Sequence, residues 1–194
     1  MSLKERVYSV LIVSASPSLN VGIRELLPAS RYFPVVTVSN LGAAKRAIAE
    51  REFDFVIINS PLPDGDGLSL AIDAGNGKNT VVLLTVRAEQ YPEAFDLSAG
   101  FGVFLLKRPL SRTSMELALG WLTSARERLR MTENKVQSVE EKMEEIRLIN
   151  RAKWLLISEL KMSEPDAHRY IEKQAMDRCV SKRVIAEEIV KTYS

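Results

Sequence analysis

Two hydrophobic periods divide this chain. Through about residue 110, short β-branched-rich apolar runs occupy 7–13, 33–38, 53–59, 80–84 and 103–106. Between them, 19–27, 41–51, 67–74 and 90–99 carry apolar residues at helical spacing. Runs such as Val10-Leu11-Ile12-Val13 and Phe55-Val56-Ile57-Ile58 are apolar at consecutive positions, so both of their faces need cover. Strand–helix units of about 20 residues, repeated in this way, predict an α/β fold: an open, doubly wound, five-stranded parallel sheet with helices on both sides. Ligand crevices in such sheets lie beyond the carboxyl ends of the strands, which singles out the residues after Val13, Ile58 and Leu84.

From Ser111 the period changes to that of a long helix. No glycine follows Gly120, and the only later proline is Pro165. A heptad register fits with Leu122, Leu129, Val136, Met143 and Asn150 at a and with Ala125, Thr132, Val139 and Ile146 at d. Across a parallel dimer, Arg128 at g would face Glu133 at e, and Lys135 would face Glu140; Lys142 would meet the like charge of Arg147. A helix of this length exceeds what the preceding domain can cover, so a coiled-coil homodimer is expected. Asn150 would set the register or mark the end of the coil. After a break near Lys161-Met162, Ser163 reads as an N-cap with Pro165 and Asp166 in the first turn, and Ser181 as a second N-cap. The expected organisation is an α/β domain over 1–121, a coiled-coil linker helix over 122–150 and a small three-helix, all-α domain over 151–194.

Charge refines this outline. Residues 1–110 hold 11 basic and 11 acidic side chains, whereas 147–194 hold 10 and 7. The basic excess therefore sits at the C-terminal end, as a polyanion-binding segment would have it. No apolar run approaches the length of a membrane span, the amino terminus shows no signal peptide, and the single cysteine, Cys179, allows no internal disulfide; a cytoplasmic protein without a membrane partner is expected. His168 is the only histidine and has no partner at ligand spacing, so no metal and no cofactor is expected. Gly75-Asn76-Gly77-Lys78 reads as a turn, since it lacks the first glycine and the Ser/Thr of a phosphate loop. No nucleophile–base pair and no enzyme motif is found.

The stretch Phe53-Asp54-Phe55-Val56-Ile57-Ile58-Asn59-Ser60-Pro61-Leu62-Pro63-Asp64-Gly65-Asp66-Gly67 resembles the receiver domain of two-component response regulators, a likeness that covers about 7–130. Receivers accept a phosphoryl group on an aspartate four residues before a proline; Asn59 stands there. They hold Mg²⁺ on acids after the first strand; Ser14-Ala15-Ser16 stands there. An amide is a poor nucleophile, and Mg²⁺ wants anionic oxygens. Asp64 and Asp66 fall outside the matching positions and read as turn and helix-start residues. Thr85, at the end of the fourth strand, matches the switch hydroxyl. Lys107, rather than Arg108, matches the family's cation and leaves Phe104 at the aromatic switch position. The resemblance thus implies a pseudo-receiver with a degenerate site of Asn59, Ser14, Ala15, Thr85 and Lys107.

The final segment resembles the ANTAR domain, the RNA-binding module of a class of transcription antiterminators. The likeness rests on Ala152-Lys153, Leu155-Leu156, Ser163-Glu164-x-Asp166-Ala167, Tyr170-Ile171, Ala175-Met176-Asp177-Arg178, Ile185-Ala186 and Ile189. Trp154 stands where that family commonly has glycine. The implied partner is a nascent mRNA leader with small hairpins, whose loop bases are open to hydrogen bonding and stacking. Arg151, Lys153, Arg169, Lys173, Arg178, Lys182 and Arg183 are the expected phosphate-binding residues, and Tyr170 is a core or a stacking residue. The expected function is non-enzymatic antitermination by a dimer on hairpin RNA, gated by a regulatory protein partner or a ligand. The rival expectations are a protein-interaction adaptor and a DNA-binding response regulator.

Overall fold

The computed structural model describes residues 6–77 and 79–193. Met1–Glu5, where the signal-peptide reading began, and Lys78 of the Gly-rich turn lie outside the described residues. The chain divides into two compact units between Met131 and Thr132.

The first unit is built on five parallel strands, β1 (Tyr8–Val13), β2 (Tyr32–Val38), β3 (Phe55–Asn59), β4 (Val81–Arg87) and β5 (Val103–Arg108), in the order β2-β1-β3-β4-β5. Helices α1 (Pro17–Glu25), α2 (Leu41–Glu50), α3 (Leu68–Gly75) and α4 (Tyr91–Ser98) connect them, and α5 (Arg112–Leu160) follows β5. The central strands β1 and β3 are buried along nearly their whole length, as their unbroken apolar runs require. Alternate strand residues feed two cores. Leu11, Val13, Val56, Ile58, Val82 and Leu84 pack under Ala44, Leu70, Ala71 and Ala94 of α2, α3 and α4. Val10, Ile12, Phe55, Ile57 and Leu83 pack with Ile23 of α1 and with Met115, Ala118, Leu119 and Leu122 of α5.

Two strand ends differ from the sequence expectation. β4 runs on to Arg87, so Thr85 lies within the strand; buried Val86 continues the ladder opposite Lys107. β5 likewise extends to Arg108. Leu122, assigned by the heptad to a dimer seam, is fully buried in the second core. It obeys both periods, and its neighbours within the first unit give it the core role.

An ion-pair network lies at the amino-terminal side of the sheet. Asp54, just before β3, accepts from the amide and hydroxyl of Ser9 at 2.9 and 3.0 Å and from Nε of Arg126 at 2.8 Å. Arg130 approaches the same carboxylate at 3.6 Å and Glu127 at 3.4 Å. Glu127 accepts the phenol of Tyr8 at 2.9 Å and pairs with Arg6. Arg126 and Glu127 are buried, although both are charged.

The second unit packs the end of α5 against α6 (Glu164–Asp177) and α7 (Lys182–Tyr193). Its core is Ala152 and Leu156, Ala167, Ile171 and Ala175, and Ile185, Ala186 and Ile189. The small alanines allow close helix approach, and the unit's compactness needs it, since so few residues make a marginal core. Ser163 caps α6, its oxygen accepting from the amide of Asp166 at 3.3 Å and its hydroxyl donating to that carboxylate at 2.6 Å. Ser181 accepts from the amide of Val184 at 3.4 Å at the start of α7. Lys161 and Cys179 close α5 and α6 in the left-handed region, at φ of 54° and 53°.

Candidate functional site

At the carboxyl ends of the strands, Asn59, Ser14 and Thr85 meet. Asn59 and Thr85 are register partners across β3 and β4, and both are buried with Ser14. The Asn59 amide donates to Ser14 Oγ at 3.3 Å, and Thr85 Oγ1 donates to Asn59 Oδ1 at 3.0 Å. Ser14 Oγ also accepts from the Ser16 amide at 3.2 Å. These three polar side chains satisfy one another without a formal charge. Ala15 is exposed beside them. The Lys107 ammonium lies 4.4 Å from the centroid of the Tyr91 ring, a cation–π contact. Arg108 is held below the usual arginine range, chiefly by burial and then by Arg87.

Asp64 and Asp66 are occupied in helix capping. Asp64 accepts from the amides of Leu41 and Gly42 at 2.8 and 3.1 Å, at the start of α2, and these bonds lower its pKa, Leu41 most. Asp66 accepts from the Leu68 amide at 3.0 Å, at the start of α3. Gly67 between them has φ +77°, and a Cβ there would stand 2.8 Å from a methyl of Ile58, so the turn into α3 needs glycine.

In the second unit, most of the sequence-selected cations are already engaged. Lys153 on α5 bonds Glu164 on α6 at 2.8 Å. Lys182 on α7 bonds Glu172 on α6 at 2.5 Å. Arg178 grips both oxygens of Glu188 on α7, at 2.5 and 2.7 Å. Arg169 pairs with Asp166 and Arg183 with Glu187 along their own helices. Lys173 is exposed and has no ion pair among the described residues; Arg151 is exposed and has a contact of its own. Tyr170 is 39% exposed, so its ring is not core. Cys179 is exposed, and His168 faces Glu172 at 3.3 Å on the surface of α6. Among the described residues no group of three or more His, Cys, Asp or Glu side chains is placed to hold a metal.

The three cross-helix bridges predict an acid response. The Glu164, Glu172 and Glu188 carboxyls are held below their usual 4.5, chiefly by hydrogen bonds from Lys153, Lys182 and Arg178. The unfolded chain therefore binds protons at higher pH than the folded one, and the bridges' contribution is present above the usual value and lost as pH falls through the lowered ones. Urea midpoints read from α6 and α7 amide resonances are expected to drop as pH falls below 4.5, and an E164Q/E172Q/E188Q variant to show a flatter dependence. Parallel pH curves for the two proteins would mean the bridges are inert.

Residues 137–190 match the ANTAR domain family. The first unit resembles the signal receiver domain of an HD domain-containing protein from Pseudomonas fluorescens Pf-5, at 20% identity and TM-score 0.57, over 68% of this chain and 96% of that one. It also resembles the chemotaxis response regulator CheY4 of Vibrio cholerae, at 21% identity and TM-score 0.52, over 60% and 98%. The chain thus joins a unit with the receiver fold to a C-terminal segment that matches the ANTAR domain family. The transcriptional regulatory protein PdtaR of Mycobacterium tuberculosis strain CDC 1551 is 27% identical over 187 residues, 94% of this chain and 89% of that protein. The family is a regulatory one. No helix among the described residues is long and apolar enough to cross a membrane.

The apolar residues by which the ANTAR resemblance was recognised are largely its core: Ala152, Leu156, Ala167, Ile171, Ala175, Ile185, Ala186 and Ile189 are buried together. Several of its polar ones, Lys153, Glu164 and Arg178, tie the helices to each other. Sequence reasoning missed the Asp54–Arg126–Glu127 network, whose only local signal is an acid abutting a fully apolar strand.

Proposed function

We propose that this chain is a transcription antitermination regulator that binds hairpins of nascent mRNA through its ANTAR domain, as a dimer joined along α5. The observation that carries the reading is the ANTAR match over 137–190, on a segment that folds as three helices around a core of its own. The dimer is supported by Leu129, Val136, Val139, Met143 and Ile146, heptad positions that α5 leaves exposed. In the heptad register, Arg128 and Lys135 at g are followed by the opposite charges of Glu133 and Glu140 at e, the pattern of a parallel pair.

The receiver-fold unit works in this proposal without aspartyl phosphorylation. The Asn59 amide is no phosphoryl acceptor, and Ser14 and Thr85 already spend their hydrogen bonds on it. Regulation then comes from a protein or a ligand meeting this unit.

The test is a salt-titrated binding assay of the full chain with two-hairpin RNA from leaders of its own genome and duplex DNA as control. Loop-dependent RNA binding that weakens with salt is expected, with the duplex bound far more weakly. Equal binding of the duplex favours a DNA-binding regulator. Binding to neither favours an adaptor that works through protein contacts.

A further inference from the structure

Trp154 stands 71% exposed on α5. Tryptophan is highly buried on average, because its ring carries so much apolar surface. The helical core does not use this one. It takes Ala152 and Leu156, two residues away in each direction and so on the far side of the helix.

The surroundings of the ring are basic. Residues 147–158 contain Arg147, Arg151 and Lys153 and no acid, although Glu140, Glu141, Glu144 and Glu145 precede them and Glu159 follows. Lys153 is held by Glu164. Arg147, Asn150 and Arg151 are exposed, and their spacing of seven, four and three residues puts them on the Trp154 face. No other large apolar side chain is exposed between Ile146 and Leu160. The face is therefore a single ring among cations and an amide, not an apolar groove for a protein helix. Its parts suit unpaired nucleic acid: a surface on which a base stacks, guanidinium groups for phosphate oxygens and an amide that both donates and accepts at a base edge.

We infer that Trp154 stacks on an unpaired loop base of the bound RNA, with Arg147 and Arg151 holding the flanking phosphates. This rests on the RNA-binding reading above and adds to it the contact residue and the mode of contact.

The probe is a two-hairpin RNA selected by the wild-type full chain from a pool with randomised loops. Trp154→Ala is expected to weaken binding about five- to one-hundred-fold, the range of one lost base–aromatic stack. Trp154→Tyr recovers most of the loss, and neither variant alters the salt slope. An R147A/R151A variant lowers that slope by about 1.4, as expected for two phosphate contacts on a single strand. In a Trp121→Phe background the remaining tryptophan emission is quenched when RNA is added. Wild-type affinity in Trp154→Ala overturns this inference and leaves the RNA reading standing. A loss of affinity accompanied by dissociation of the dimer, read by sedimentation, also overturns it, because the ring then belongs to an interhelix contact. A wild-type chain that selects no RNA from the pool overturns both.

Discussion

Asp54→Ala is expected to cost the N-terminal unit about 3 kcal/mol, because removing one partner of a buried pair takes from the other the carboxylate that offsets its desolvation. Asp54 accepts four interactions: two from Ser9, one from Arg126 and a longer one from Arg130. The Arg126 side chain is only 9% exposed and that of Asp54 16%, so water cannot replace what alanine removes. The Ser9 amide also loses its acceptor, a further desolvation cost. The melting midpoint of this unit should fall by about 10 °C. An Asp54→Ala/Arg126→Met variant should regain part of the loss, since it removes the buried guanidinium along with its carboxylate. A single-variant change below about 1 kcal/mol would mean that the guanidinium groups find water or other acceptors, as surface pairs do.

A charge-introducing pair on the exposed stripe, Val139→Glu with Ile146→Glu, is expected to leave each unit folded and to abolish the proposed dimer. These side chains are 56% and 58% exposed in the single chain, so the folded protomer loses almost nothing. In a two-stranded coil each would be buried against its counterpart, at about 1.5–3 kcal/mol per side chain. Four such chains exceed about 6 kcal/mol before the repulsion of four glutamates is added. That is more than a ten-thousand-fold loss of association by the relation of about 1.4 kcal/mol per factor of ten. Sedimentation should give the monomer mass, and affinity for a two-hairpin RNA should collapse towards that for one hairpin, because the second contact loses its effective concentration. An unchanged sedimentation profile would sink the α5 dimer.

Much of the fold was legible because its signals are local. The strands were readable from apolar runs with no polar face, and the starts of α6 and α7 from Ser163 and Ser181, whose side chains do cap them. The failures were non-local. β4 continues through Val86 and Arg87 because it has β5 to pair with, which nothing in Thr85 announces. Leu122 fits the heptad and the core equally, and only its contacts with the sheet decide between them. The cations of the second unit looked available for phosphate because their acids lie eleven or ten residues away on other helices. That position 59 carries an amide is plain in the sequence; that Ser14 and Thr85 close around it depended on the sheet register.

The ion-pair network also bears on the order in which the protein comes into being on the ribosome. Tyr8 and Asp54 emerge early, but their partners Glu127 and Arg126 lie 119 and 72 residues further along. Until those residues clear the exit tunnel, the nascent sheet holds a carboxylate bonded to Ser9 but to no cation of α5, and a phenol without its acceptor. Contacts of such long sequence separation form late. The N-terminal unit therefore reaches its final stability only when the chain is already entering the stretch that carries the exposed stripe, so a finished α/β domain and that stripe emerge almost together.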